Sequence, residues 1–101
     1  MTNQHDPGVK FDSDKPNLDL VLGQFCNALI AVGDIGTFGA KKYSPNGWLE
    51  VANAEERYSS AMLRHYCDSK IGNEYDSESD MLHLAHLAWN ALAILELRLR
   101  R

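Results

Sequence analysis

The hydrophobic and polar positions in the last third of the chain follow a helical pattern with an unusual balance. At about 100° per residue, a helix over residues 77–99 would carry only a narrow polar stripe, made of Ser79, His83, His86 and Asn90. Leucine, alanine, methionine and tryptophan side chains cover most of the remaining circumference. A helix that is apolar nearly all round is normally buried. We therefore expect the stripe to face another protein element or an internal cleft, which makes it the first candidate for a site.

Residues 20–43 form another segment with helical spacing of apolar side chains, but three glycines interrupt its pattern: Gly33, Gly36 and Gly39. Each glycine costs about 1 kcal/mol relative to alanine inside a helix. Close approach of a neighbouring backbone would explain them, but we favour a break into two shorter helices near Gly33. The preceding residues, 8–20, contain a proline that disfavours helix before it, and they are predicted to form an extended N-terminal arm.

Residues 52–71 have a third helical pattern and are predicted to pack beside the C-terminal helix. Asn53 is in position to cap the first turn, and a Gly-Asn pair follows the last turn and ends the helix. Because the connection to residues 77–99 is short, the two helices should be antiparallel neighbours. His65 on the first helix then lies level with residues 80–83 on the second.

This hairpin should bring carboxylates and imidazoles together. The side chains expected to converge are His65, Asp76, Glu78, Asp80 and His83. Such groups are ordinary ligands of divalent metal ions. Ser77 is the expected cap of the second helix. The alternative to a metal site is that the acids only stabilise the N-terminus of this helix. Three imidazoles and an asparagine on mainly apolar helices favour a site, because buried polar groups need partners.

Composition limits the architecture and the partners. The 101 residues are predicted to form one domain, 1–101, whose residues 1–7 are disordered. The net charge of −4 argues against duplex DNA or RNA as a partner. No apolar run of about 18 residues and no leader pattern occur, which predicts a cytoplasmic protein without a membrane partner. In that compartment Cys26 and Cys67 are expected to be buried, reduced thiols. The C-terminal helix has more apolar surface than one neighbour covers, so we expect a homo-oligomer.

Several short motifs follow one another in the order typical of a known family. They are Lys10-Phe11-Asp12, Lys15-Pro16, Phe38-Gly39-Ala40-Lys41-Lys42-Tyr43, Asn46-Gly47-Trp48, Arg57-Tyr58, Arg64-His65, Asp76-Ser77-Glu78, His83-Leu84-Ala85-His86 and Trp89-Asn90-Ala91-Leu92. Together they resemble the phage dATP/dGTP diphosphohydrolase amino-terminal family, which is similar to the MazG-like all-α nucleotide pyrophosphohydrolases. The resemblance implies an all-α antiparallel helical bundle, completed by oligomerisation. It also implies a nucleotide ligand and a divalent metal, Mg²⁺ or Mn²⁺, that assists hydrolysis of a purine deoxynucleoside triphosphate to monophosphate and pyrophosphate.

The resemblance assigns roles to individual residues, and these roles agree with the chemistry of the reaction. When water attacks a polyanion, a metal ion and cationic side chains must neutralise the negative charge, and a base must accept a proton from the water. The catalytic candidates are Glu78, His65 and His83; the metal ligands are Asp76, Glu78 and His83; the phosphate-binding candidates are Lys15, Lys42 and Arg64; and the base-binding candidates are Tyr43, Trp48, His86 and Asn90. Tyr43 and Trp48 flank a predicted turn, and they would alternatively plug the edge of the core.

Departures from the family pattern keep a second function open. Asp80 stands where the family has glycine, and Ser77 where it usually has proline. The paired glutamates of the broader MazG-like pattern are present, but the third glutamate is absent. The alternative function is a phage-encoded nucleotide-binding protein that sequesters a nucleotide signal without turnover. Hydrolysis of the bound nucleotide distinguishes the two functions.

Overall fold

The computed structural model describes residues 14–101, which fold into helices joined by loops. The helices are α1 (Asp19–Leu22), α2 (Cys26–Lys42), α3 (Ala54–Lys70) and α4 (His83–Leu99), with a 3₁₀ turn at Gly47–Leu49. Within residues 14–101 there is no strand, only an isolated antiparallel bridge between Tyr75 and Leu82. The predicted all-α class is confirmed. The predicted disordered terminus and the first part of the predicted arm lie outside the described residues.

Helices α3 and α4 form the antiparallel hairpin that the sequence predicts. Glu55, in the first turn of α3, forms ion pairs with Arg98 and Arg101 at the end of α4. At the other end of the pair, His65 of α3 contacts His83 in the first turn of α4. Helix α2 packs on α4 from another side. This arrangement puts the end of α2, the second half of α3 and the start of α4 in one region.

Helix α4 begins at His83, so the predicted start at residue 77 and the predicted cap at Ser77 are wrong. The loop before α4 has its own hydrogen bonds: the Asp76 carboxylate accepts bonds from both the backbone N–H and the hydroxyl of Ser79. A short polar side chain that captures nearby backbone groups competes with helix formation. Asp80 adopts a left-handed conformation with φ of 59°, which glycine adopts without strain. The glycine expected at this position from the family resemblance therefore has a structural explanation.

Helix α2 continues through Gly33, so the predicted break near this residue is also wrong. The interruption lies earlier, between α1 and α2. A glycine lowers helix stability by about 1 kcal/mol but does not forbid the helical conformation. Burial of Ile35 on the face toward α4 offsets part of that cost, because each buried isoleucine contributes roughly 1.5–3 kcal/mol.

The apolar core of the described chain is small. Its buried apolar residues are Ile35, Ala85 and Ala93. Many large apolar side chains are instead exposed, including Phe25, Ile30, Leu63, Leu84, Leu92 and Leu95. The two cysteines are unpaired, as expected, but both are exposed and the prediction of buried thiols is wrong. No helix within residues 14–101 is long and apolar enough to cross a membrane.

Candidate active site

A cleft of about 1150 Å³ lies between α2, α3, α4 and the loops that join them. Its lining includes every predicted site residue except Lys15. The side chains contributed by α2, α3 and the loop before α4 are far apart in sequence and meet only because the helices pack together. The cleft is therefore the candidate active site.

Three imidazoles lie together where the second half of α3 meets the start of α4. His65 Nδ1 is 2.7 Å from His83 Nδ1. The rings of His65 and His86 are stacked, with 4.5 Å between centroids and 10° between planes. A contact between two ring nitrogens at this distance requires a hydrogen on one and a lone pair on the other. The pair is therefore stable when at least one of the two rings is neutral.

Asp76 is fixed beside this cluster by the loop that precedes α4. Its Oδ2 accepts the Ser79 N–H at 2.9 Å and the Ser79 hydroxyl at 3.0 Å. Ser79 Oγ is also 2.7 Å from Nε2 of His86. If the single hydroxyl hydrogen is donated to Asp76, His86 must donate its Nε2–H to Ser79. Ser79 thus connects the carboxylate to the histidines and orients both.

His65, Asp76 and His83 form a group that fits a divalent metal ion. Each offers one ligand atom, and these atoms all lie within 4.8 Å of one another. Two imidazoles and one carboxylate are a common ligand set for first-row transition metals. The predicted metal ligands Asp76 and His83 are in this group, whereas Glu78 is not and His65 takes its place. Asp80 is exposed and lies outside the group.

The environment of these groups favours the protonation states that a metal site needs. Burial lowers the pKa of His65 below 6.5, and the neighbouring imidazoles of His86 and His83 lower it further. Burial also lowers the pKa of His86, although Asp76 opposes this effect. Burial alone would raise the pKa of Asp76, but the two hydrogen bonds from Ser79, together with the nearby His86 and His65, outweigh it and the pKa is lowered. At pH 7 the site therefore has a neutral His65 ring and an ionised Asp76 carboxylate, the states in which these groups bind metals.

Lys42 and Glu78 form an ion pair at the edge of the cleft. The hydrogen bond to Glu78 raises the pKa of Lys42 above 10.5. The ammonium group also lies 5.3 Å from the centroid of the Tyr43 ring. Lys42 is thus a cation at the edge of the cleft, and Glu78 is its counter-ion. The role of Lys42 in binding phosphate stays a prediction.

The other predicted phosphate-binding residues differ in their positions. Arg64 is exposed and lines the cleft, one residue before His65, and its guanidinium donates a hydrogen bond of 3.2 Å to the Ser60 hydroxyl. Lys15 is exposed and is absent from the cleft lining. Lys42 and Arg64 are therefore the better supported candidates.

The predicted base-binding residues also differ in their surroundings. Tyr43 is 74% exposed at the cleft. Trp48 packs edge-on against Trp89, with 6.1 Å between ring centroids. This contact fits the alternative role of Trp48, in which its ring closes the edge of the core. Asn90 is buried, and its amide donates to the carbonyl of His86 at 2.7 Å. Tyr43 thus presents the most accessible ring of the set.

Sequence reasoning assigned no role to three residues that the structure brings into the site. Trp89 lines the cleft, but its position on an apolar helix face is also typical of a core residue. Ser79 belongs to the polar stripe, and this was the only feature of the sequence that pointed to a role in the site. Asp68 has an oxygen 3.7 Å from Nε2 of His83. The sequence feature that could have indicated Asp68 is its position three residues after His65, because residues three apart lie on the same side of a helix.

Comparisons with known proteins bear on the family of this chain. The family model described as dATP/dGTP diphosphohydrolase, N-terminal, matches residues 5–101. A dATP/dGTP diphosphohydrolase of Salmonella phage PMBT28 is 32% identical over 81 residues, which are 80% of this chain and 26% of that protein. The chain thus spans about a quarter of the length of this relative. No solved structure matches the chain significantly. Because the family model matches nearly all of the sequence, the chain belongs to the dATP/dGTP diphosphohydrolase N-terminal family.

Proposed function

We propose that the protein is a metal-dependent hydrolase of purine deoxynucleoside triphosphates, dGTP or dATP. Water adds to the α-phosphorus, the bond from this phosphorus to the oxygen that bridges it to the β-phosphorus breaks, and the products are the monophosphate and pyrophosphate. Family membership and the name of the phage relative support the substrate class. The observation that carries the proposal is the convergence of His65, Asp76 and His83 in the wall of a cleft that also has cationic side chains.

The metal is assigned to His65, Asp76 and His83. A divalent ion held there supplies positive charge that stabilises the transition state of phosphoryl transfer. Mg²⁺ prefers oxygen ligands, whereas imidazoles suit transition metals. Of the two expected cofactors, Mn²⁺ therefore fits this ligand set better than Mg²⁺.

Lys42 and Arg64 are assigned to the phosphate chain, and Glu78 to the water. A triphosphate carries more negative charge than one carboxylate, so it competes with Glu78 for the ammonium group of Lys42. Glu78 is then available as a base that accepts a proton from the attacking water. In this proposal the ion pair of Lys42 and Glu78 forms when no nucleotide is bound and breaks when the triphosphate binds.

Base recognition is assigned first to Tyr43, whose exposed ring offers a stacking surface at the cleft. His86 is better suited to orient the cluster, because it is stacked on His65 and bonded to Ser79.

Self-association of the chain would cover its exposed leucines. A deoxynucleotide substrate would be met in the cytoplasm of the bacterial host.

The experiment is hydrolysis of a deoxynucleotide panel followed by chromatography of the products. We expect dGTP or dATP to yield monophosphate and pyrophosphate with Mn²⁺, more slowly with Mg²⁺, and not with chelator. Asp76→Asn keeps an acceptor for Ser79 but removes the negative charge of the ligand. It should lower kcat/KM by about 100-fold or more, as loss of a transition-state interaction does.

The matched control is Asp34→Asn, which changes an exposed acid of α2 outside the cleft. Its activity should equal that of the unmodified protein. Recovery of every nucleotide intact, together with tight binding in metal and in chelator, would contradict the hydrolase and favour the sequestering protein.

A further inference from the structure

His83 has the most enclosed side chain of the histidine cluster, and one of its nitrogens has no partner. The residue is only 4% exposed. Its Nδ1 contacts Nδ1 of His65 at 2.7 Å. Its Nε2 is buried without a hydrogen bond, the one such side-chain nitrogen or oxygen within residues 14–101. Because a buried polar atom without a partner is costly, this nitrogen points to an interaction that the resting geometry nearly makes.

Asp68 is the carboxylate that this nitrogen faces. Its Oδ2 lies 3.7 Å from Nε2 of His83, and its side chain is 41% exposed. A hydrogen bond of this kind is about 2.8–3.0 Å long, so the carboxylate needs to move by less than about 1 Å. Asp68 is the residue that moves, because its side chain reaches solvent and can rotate, whereas the His83 ring is enclosed.

The charge of Asp68 decides which nitrogen of His83 carries the hydrogen. A lone pair on Nε2 would face a negative carboxylate and be repelled, whereas an N–H there is attracted. The low dielectric around a buried ring strengthens both effects. The Nε2–H tautomer is therefore favoured, and it leaves the lone pair on Nδ1, the nitrogen that faces His65.

We propose that Asp68 is a positioning residue that accepts the Nε2–H of His83 and so presents the Nδ1 lone pair to the metal site. Without metal, that lone pair accepts the Nδ1–H of His65. Histidine ligands of metals commonly donate their second ring N–H to a carboxylate, which sets the tautomer and the ring orientation. The metal part of this inference rests on the proposed function; the tautomer part does not.

The test is the tautomer of His83 in metal-free protein, read from long-range ¹H–¹⁵N correlations of ¹⁵N-histidine-labelled samples. We expect the Nε2–H form in the unmodified protein. Asp68→Ala should lose this preference, and Asp68→Asn should retain it, because the amide oxygen still accepts the hydrogen bond. Asp34→Ala, at an exposed acid of α2, is the matched control and should leave the spectrum of His83 unchanged.

A Nδ1–H form of His83 in the unmodified protein would overturn the proposal. So would an Asp68→Ala variant with the original tautomer. Since Asp68 is a partly exposed residue within α3 and alanine is a better helix former, the alanine variant is expected to fold. If it does not fold, a Nδ1–H form of His83 in the unmodified protein would still overturn the proposal.

A second measurement is the affinity for Mn²⁺ alone, followed by the paramagnetic resonance signal of the free ion. Asp68→Ala should weaken binding by about 10- to 100-fold, with Asp68→Asn in between and Asp34→Ala unchanged. Unchanged Mn²⁺ affinity in Asp68→Ala would overturn the positioning role. If the unmodified protein bound no Mn²⁺, the proposed function would fail, and the tautomer measurement would still decide the role of Asp68.

Discussion

Lys42, in the last turn of α2, is paired with Glu78, in the loop before α4, although the two are 36 positions apart in sequence. Both side chains are partly exposed. Exposed ion pairs contribute little to stability because solvent screens them. The pair matters instead for where it puts a cation, at the edge of the cleft that contains the histidines.

Replacing Lys42 with alanine should therefore weaken nucleotide binding without unfolding the protein. We expect KM for the triphosphate to rise about tenfold, the effect of losing roughly 1.4 kcal/mol of binding, with a nearly unchanged melting temperature. Lys41→Ala is the control, because Lys41 is an exposed neighbour outside the cleft lining. Equal effects of the two substitutions on KM would show that only net charge matters.

His65 and His83 should behave as one unit. Because both are assigned to the same ion, His65→Gln and His83→Gln should each lower kcat/KM by about 100-fold or more, and the double variant should lose little beyond either single variant. Steady-state kinetics with saturating Mn²⁺ measures this coupling. Strictly additive losses would indicate that the two rings act independently.

The free energy of unfolding should fall on acidification below about pH 6.5. The pKa values of His65 and His86 are lowered in the folded protein from 6.5, so below that pH the unfolded chain binds more protons than the folded one. Stability then decreases as pH falls. Asp76, whose pKa is lowered from 3.8, adds a further loss at pH values below that.

Urea unfolding midpoints at pH 7 and pH 5, measured with chelator at one protein concentration, check this expectation. The midpoint should be lower at pH 5. His86→Asn removes one of the groups responsible, so the difference between the two pH values should shrink. A midpoint that is equal or higher at pH 5 would contradict the assignment.

The unmodified protein is expected to self-associate. At about 100° per residue, the exposed residues Leu84, Leu92, Leu95 and Leu99 lie on one face of α4. Burying one leucine contributes roughly 1.5–3 kcal/mol, so Leu95→Glu should weaken association at least tenfold in sedimentation experiments. Asn73→Glu adds the same charge in an exposed loop and should have little effect. A monodisperse monomer of the unmodified protein at micromolar concentration would refute the prediction.

Helical periodicity, readable from the sequence, determined the all-α class and the antiparallel pairing of α3 and α4. It also determined that His65 would meet His83. The reason is that helix geometry repeats regularly, so a short connection between two helices aligns residues at similar distances from the turn. The same reasoning placed the start of α4 too early, because the bonds from Ser79 to Asp76 have no periodic signature.

Only the tertiary structure decided which of the three neighbouring carboxylates contacts which side chain. Asp76, Glu78 and Asp80 are close in sequence, but Asp76 joins the histidines, Glu78 meets Lys42 and Asp80 is exposed in a left-handed turn. Their directions depend on loop dihedral angles and on how α2 packs against α4, neither of which a hydrophobic pattern encodes. Local spacing thus determined what the site is made of, and packing between distant segments determined its geometry.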